Sequence, residues 1–300
     1  MFPPKPLAPS LKVLPVAVLF AVALFAFSCS KKNDSIVSIF NTEPDITSLS
    51  TDFPGEVSGI ADSYLNPGWL WMIQDGGNPA ELLCVKHSGE YGAKIILEGI
   101  SNRDWEDMAI VESGDGGAPF IYIADIGDNH KNRGEYNIYR LREPRLDKRE
   151  VSEIEKITFR YSDNKSHDAD AFLIAGQGKE IYLLTKENPT LVFRISNVVT
   201  GGMVQTAQKL GSLKIGGITS SAISRTGEIL VRTYNNLYFW PKTGSAGVYD
   251  VLNKKKQEVP IHVEPQGEAV TFGKVNSGIF TLSENAGLPL NLSLYFYPRN

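Results

Sequence analysis

One short pattern recurs five times along this chain: an oxygen-bearing side chain, a small or acidic residue, then apolar residues entering a strand. The repeats read Ser58-Gly59-Ile60-Ala61, Glu106-Asp107-Met108-Ala109, Asp170-Ala171-Phe172-Leu173, Ser220-Ser221-Ala222-Ile223 and Glu268-Ala269-Val270-Thr271, at intervals of 48, 64, 50 and 48 residues. A unit of this length cannot bury its apolar face alone, so units of this period stack against one another in solenoids, propellers or arrays.

Each repeat is followed by a strongly apolar run: Trp69-Leu70-Trp71-Met72-Ile73, Phe120-Ile121-Tyr122-Ile123-Ala124, Ile181-Tyr182-Leu183-Leu184, Ile229-Leu230-Val231 and Ile279-Phe280-Thr281-Leu282. Further β-branched or aromatic runs follow at 82–86, 136–141, 191–195, 237–240 and 292–297, with room for a fourth at 157–161 and 259–263. Gly, Asn, Asp and Pro bound these runs, and no long helical period interrupts them, which is the pattern of an all-β fold. Four strands per unit is the blade of a β-propeller. Five units predict five blades. The alternative is a sixth blade in the long second unit, where 142–155 reads as a charged, solvated excursion. The fifth unit stops after three strands, and 35–40, Ser-Ile-Val-Ser-Ile-Phe, is the expected N-terminal strand that closes the ring in the last blade.

In such a ring the first strand of each blade lines the axis and the second runs antiparallel to it. The start of the first and the end of the second then share one mouth. The five repeat positions Ser58, Glu106, Asp170, Ser220 and Glu268 are the expected metal ligands. Carboxylates about 5 Å apart at an effective dielectric near 20 repel by about 3 kcal/mol per pair. A hard divalent cation relieves that repulsion. Calcium takes 6–8 oxygen ligands in flexible geometry, and the chain has no Cys/His cluster of the kind zinc prefers. The other reading is that these residues cap strands and hydrogen-bond between blades. The second strands end near Asp75, Asp125, Thr185, Thr233 and Ser283. Lys186, Arg232, Asp125 and Thr233 are the expected ligand-binding residues, Arg232 for its bidentate fork. Asp75, Asp125 and Arg232 are the candidates for catalytic roles. Asp125-Ile126-Gly127-Asp128-Asn129-His130 also reads as a turn held by local Asx bonds. His167 stands near the rim, and Glu284 is placed to brace Arg232.

The order Ser, Glu, acidic, Ser, Glu, one oxygen ligand per blade, resembles the axial calcium site of the calcium-activated nucleotidase (apyrase) family. That resemblance implies a five-bladed propeller, a calcium cofactor and phosphoric-ester hydrolysis. Asp170 shortens one carboxylate, and Gln74-Asp75-Gly76-Gly77 stands where that family has an Asp-Asp-Arg-type sequence. The blocks Asp104-Trp105-Glu106-Asp107-Met108-Ala109, Ile123-Ala124-Asp125-Ile126-Gly127-Asp128-Asn129 and Glu264-Pro265-Gln266-Gly267-Glu268-Ala269 resemble an uncharacterised family of bacterial secreted and lipoprotein propellers. Phytase-like propellers are a looser likeness.

Lys5 and Lys12 precede an apolar run over 13–27, and Ala26-Phe27-Ser28-Cys29 closes it. This is the layout of a secretory signal, and its end resembles a lipobox. The expected domains are a signal peptide over 1–28, a lipidated Cys29 with a polar tether over 29–34, and one propeller over 35–300. A spanning helix needs roughly 20 apolar residues, more than this run supplies. Ser30 after the cysteine resembles outer-membrane lipoproteins, which sets the expected location at the bacterial cell envelope. Formal charge is −4 for the chain and −6 once Lys5 and Lys12 are removed, with no basic stripe for nucleic acid. Cys84 is the other cysteine and reads as a buried small hydrophobe.

Two functions fit. One is a lipid-anchored envelope module that uses an axial calcium site to bind an anionic small molecule or an envelope protein. The other is a calcium-dependent phosphoric-ester hydrolase. No Gly-x-Ser-x-Gly, Gly-x-x-x-x-Gly-Lys or His-Glu-x-x-His motif is present.

Overall fold

The computed structural model describes residues 39–300 apart from 51, 243 and 286–289. The signal segment, Cys29, the tether and all of 35–40 except Ile39 and Phe40 lie outside the described residues. Among the described residues no helix is long and apolar enough to cross a membrane.

The chain enters through β1 (Asp45–Ser48) and then builds successive antiparallel meanders. The first is β2 (Val57–Asp62), β3 (Trp69–Gln74), β4 (Glu81–Lys86) and β5 (Ile95–Leu97). The second is β6 (Trp105–Val111), β7 (Phe120–Asp125) and β8 (Tyr136–Arg142), followed by the short β9 (Glu150–Val151) and then β10 (Ile154–Tyr161). The third is β11 (Ala169–Ala175), β12 (Glu180–Thr185), β13 (Thr190–Ser196) and β14 (Val204–Leu213). The fourth is β15 (Ile218–Ile223), β16 (Ile229–Thr233), β17 (Leu237–Trp240) and β18 (Gln257–Val259), with α1 (Val248–Leu252) between the last two. The chain ends with β19 (Gln266–Phe272), β20 (Gly278–Glu284) and β21 (Ser293–Pro298).

The first strands β2, β6, β11, β15 and β19 contact one another in chain order, and β19 returns to β2. This closed ring of inner strands is the arrangement of a β-propeller. Hydrogen bonding groups the strands into four sheets, because β10 pairs with β14 in parallel and fuses two meanders into an eight-stranded sheet. A second parallel contact, β5 with β9, draws part of the 142–155 segment onto the first meander. Most of 145–153 is exposed, as expected from its charge, but the segment is anchored at its ends. Glu143 is buried and accepts bonds from Leu65 N (2.9 Å), Trp71 Nε1 (2.9 Å) and the Ser63 hydroxyl.

The apolar runs follow from double-sided burial. Side chains alternate across a strand, and here both faces meet a neighbouring sheet. Along β3, Trp71 and Ile73 pack with Trp105, Met108, Ile121 and Ile123 of the second meander. Leu70 and Met72 pack on the other side with Ala269, Phe280 and Leu282. Equivalent clusters fill the remaining gaps between consecutive meanders. Cys84 is buried in one of them as a small hydrophobe.

The N-terminal strand beside β21 is β1, antiparallel, with Asp45 opposite Phe296 and Ser48 opposite Ser293. It lies further along the chain than the expected 35–40. Of that earlier segment, Phe40 forms a bridge with Arg299, and Asn300 N bonds to Ile39 O at 3.0 Å. Phe40 is buried, edge-on to Phe239 at 5.4 Å and clustered with Tyr297 and Val270. It pins the N-terminal segment across two sheets. Replacing Phe40 with Ala is expected to cost about 3–5 kcal/mol, the usual cost of such a truncation in a core. Urea unfolding measures it, and an unchanged midpoint would contradict this account of closure.

Candidate metal centre

Each inner strand starts with the same irregularity. Its register against the second strand slips between Val57 and Gly59, Trp105 and Asp107, Ala169 and Ala171, Ile218 and Ser220, and Gly267 and Ala269. One extra residue bulges at each place: Ser58, Glu106, Asp170, Thr219 and Glu268. Bulges re-aim a side chain that the pleat would otherwise send elsewhere. The five-fold sequence pattern is thus a ring of bulges, with one correction. The fourth member is Thr219, not Ser220. Ser58 Oγ donates to Trp105 O at 2.7 Å, and Thr219 Oγ1 donates to Gly267 O at 2.9 Å. Both acceptors immediately precede the bulged residue of the next meander, so Ser58 and Thr219 are equivalent. In the run of hydroxyl residues Thr219-Ser220-Ser221 a one-residue slip is invisible to sequence, although it reverses the direction of every side chain.

Ser220 faces the axis instead. Its hydroxyl donates to Asp107 Oδ1 at 3.1 Å and accepts from Val270 N at 3.3 Å. Asp107, fully buried, also takes Met108 N (2.9 Å), Ser221 N (3.1 Å) and Phe172 N (3.4 Å). One carboxylate therefore ties the inner strands β6, β11 and β15 together. Burial pushes its pKa well up, against these four donors.

The carboxylates gather at the mouth. A cavity of about 230 Å³ is lined by Ser58, Asp75, Glu106, Asn129, Lys186, Tyr234, Gln266, Glu268 and Glu284. Asp75, Lys186 and Tyr234 each follow directly on a second strand, β3, β12 and β16, and Glu284 ends β20. Among the described residues, carboxylate oxygens of Asp75, Asp104 and Glu106 lie within 4.8 Å of one another, and so do those of Glu106, Asp168 and Asp170. Asp104 and Asp168 sit just before β6 and β11 and carry no repeat signature. The pairing of acidic residues two apart in Asp104-x-Glu106 and Asp168-x-Asp170 was the signal available for them. Gly127 gives the cluster room, since a Cβ there would collide with Glu106 and Asp104.

Among the described residues, Lys186 is the one basic side chain lining this cavity. Its ammonium pairs with Asp170 and stands 5.5 Å from the Tyr234 ring centre. Burial alone would lower the Lys186 pKa, but the Asp170 carboxylate more than offsets it and the net shift is upward. The acids shift up as well. Burial raises Glu106 well above its ordinary value, helped by the charges of Asp170, Asp75 and Asp104. Burial and the Asp75 charge take Asp104 to about 6. Burial takes Glu268 to about 7, against a 2.9 Å bond from Gln266 Nε2. Burial also raises Asp75 and Asp170.

Three expected site residues do other work. Arg232 is fully buried, with its guanidinium 2.9 Å from Glu264 Oε1 and packed against the backbone of Gly267, which has no Cβ to obstruct it. Thr281 Oγ1 donates to the same Glu264 oxygen at 2.7 Å. Arg232 therefore cannot reach a ligand at the mouth, and Glu264 rather than Glu284 braces it. Asp125 is buried in an ion pair with Arg133 at 2.8 Å, and Arg133 also donates to the carbonyls of Asp125 and Gly127. Asp128 receives Asn132 N, Arg133 N and the Tyr136 hydroxyl, so this segment is a pinned turn. Thr233 Oγ1 accepts from Asn236 N at 3.1 Å and caps the turn after β16. His167 lies between Glu187 and Asp163, 3.0 Å from an oxygen of each. Burial works to lower its pKa, and the two carboxylates outweigh it and raise it.

No family model matches the chain, and no curated protein matches it. Among solved structures, the chain is similar to regucalcin from Agrobacterium tumefaciens, described as a calcium-binding protein. The identity is 14%, over 86% of this chain and 96% of that one, with a TM-score of 0.45. It is similar to hydrazine synthase of Kuenenia stuttgartiensis at 15% identity, 81% and 60% coverage and a TM-score of 0.38. It is similar to U3-55K at 9% identity, 81% and 67% coverage and a TM-score of 0.40. At overlaps of this size none of the three bears on the chemistry of the mouth.

Two outcomes follow from the geometry. Arg232→Ala strands a buried Glu264 carboxylate, and breaking a buried pair this way costs about 3–5 kcal/mol. Chemical denaturation should show that loss, whereas a ligand-binding role at the mouth would leave stability unchanged. The second concerns pH. Asp104 and Glu268 keep their protons in the folded chain up to about 6 and about 7, above their ordinary values of 3.8 and 4.5. Between those limits the folded state binds more protons than the unfolded one, so stability falls as pH rises. In chelator, the melting temperature contribution of this cluster is expected to drop from pH 5 to pH 7.5. Added divalent cation should restore it at pH 7.5 and do little at pH 5. A cation effect independent of pH would contradict the assignment.

Proposed function

We propose that this chain is a five-bladed propeller, anchored at the bacterial outer membrane through lipid on Cys29, that holds calcium at its axial mouth and uses it to bind a ligand or partner. The observation that carries this reading is the buried cluster around Glu106, an all-oxygen donor set facing a single ammonium. Such a set suits a hard cation, and calcium tolerates the irregular geometry that five meanders deliver. Five inner strands and five interface clusters support five blades rather than six.

The cavity is smaller than the 300–1,000 Å³ typical of small-molecule sites. It has room for the ion, its waters and one polar group of a ligand. A carboxylate or phosphate entering there would meet the cation and Lys186. The second reading, a calcium-dependent phosphoric-ester hydrolase, is supported by Asp75, which lines the cavity beside the cluster with its pKa raised by burial. In that reading Asp75 orients the attacking water. With Arg232 committed to Glu264, Lys186 and the ion would be left to hold the phosphate, which favours binding over turnover.

Calcium titration of the chelator-stripped protein tests the reading. A ligand at one hundred times its Kd stabilises by about 2.7 kcal/mol, so the melting temperature should climb with calcium, and Glu106→Gln should abolish most of the climb. A flat titration would remove the reading. Turnover of nucleotides, phytate or phosphodiesters that disappears in Asp75→Asn would establish the hydrolase, and silence on all of them leaves the binding module.

A further inference from the structure

We propose that the mouth holds two divalent cations, with the Glu106 carboxylate bridging them. This rests on the reading of the mouth as a cation site and fixes its stoichiometry. The outer position is formed by Asp75, Asp104 and Glu106, and the inner position by Glu106, Asp168 and Asp170. Within each group the oxygens lie within 4.8 Å of one another. Ligands held about 2.3–2.6 Å from one calcium ion lie at most about 4.6–5.2 Å apart, so each group fits around one ion. Glu106 belongs to both groups, and its two oxygens can serve one ion each.

Two buried side chains point to ligands beyond the carboxylates themselves. Glu106 is 9% exposed, lines the cavity, and accepts no hydrogen bond among the described residues. Asp170 is 1% exposed. Its Oδ2 meets the Lys186 ammonium, and Oδ1 has no partner among the described residues. Buried polar atoms ordinarily have partners. The neighbouring acids are bonded in ways that leave an oxygen over. Asp168 Oδ1 takes Asp128 N at 2.8 Å, and Asp75 Oδ1 takes Gly76 N. Charge favours the same count. Ionised, these five carboxylates and the cavity-lining Glu268 and Glu284, set against the Lys186 ammonium, keep an excess of four negative charges after one divalent cation binds, and a second cation halves it.

Equilibrium dialysis of the purified full-length protein against calcium at pH 7.5, after stripping with chelator, decides the count. Two calcium ions per chain are expected. Asp104→Asn and Asp168→Asn should each leave one ion, while Glu106→Gln weakens both sites by tenfold or more. Circular dichroism checks that the variants remain folded, and the wild-type count needs no variant. One ion per chain overturns the bridged pair and leaves the single-cation reading standing. Two ions that persist unchanged in both Asn variants place them elsewhere and also overturn it. No bound calcium removes the pair together with the reading beneath it.

Discussion

A single extra residue at the start of each inner strand decides where Glu106, Asp170 and Glu268, the carboxylates at the centre of the mouth, go. The inner strands are buried on both faces, so a regular pleat would drive each polar side chain into an inter-sheet cluster. The bulge breaks that alternation at one position per meander. It turns Ser58, Glu106, Asp170, Thr219 and Glu268 out of the core. Ser58 and Thr219 then stitch adjacent meanders by bonding to backbone carbonyls. The carboxylates have no such backbone use, and three of them converge at the mouth.

The residue after the bulge does the opposite job. Asp107 follows Glu106 directly, yet its carboxylate is aimed across the axis, where it gathers N–H and O–H donors from three inner strands. Neighbouring inner strands of a propeller have no full ladder between them, so their backbone N–H groups need other acceptors. Asp107 and the Ser220 hydroxyl accept from N–H groups of four inner strands, the Ser221 hydroxyl donates to Phe172 O, and together they knit the ring. The inner strands are tied by one buried carboxylate, Asp107, whose bonds are satisfied, while at the site Glu106 and the Asp170 Oδ1 lack a hydrogen-bond donor among the described residues. That contrast within a two-residue stretch separates structure from function more clearly than burial does.

Much of this was legible in sequence, and the failures have physical causes. The apolar runs such as Trp69 to Ile73 identified the second strands, because double-sided burial leaves an unbroken hydrophobic signature. The repeat identified four of the five bulged residues. It slipped at Ser220 because three hydroxyl residues in a row, Thr219-Ser220-Ser221, give no chemical mark of which one bulges. Arg232 and Asp125 looked like mouth residues because they lie at strand ends, but both have a buried opposite charge far away in sequence or across a turn. Glu264 sits 32 residues beyond Arg232, and nothing local announces the pair. Asp104 and Asp168 were overlooked as ligands because they precede the strands rather than begin them. The block Glu264-Pro265-Gln266-Gly267-Glu268 now has a role at nearly every position. Glu264 holds Arg232, Gly267 admits its guanidinium, and Gln266 supports the bulged Glu268.

The account stands on cations being held by bulge-borne carboxylates at the axis, and diffraction tests that most directly. Crystals grown in calcium, measured at a wavelength where calcium scatters anomalously, should show a peak within about 2.3–2.6 Å of Glu106 oxygens, with Asp170 or Asp104 completing the shell. A map with no peak at the mouth, in which the Glu106 and Asp170 side chains bond only to protein and water, would contradict it.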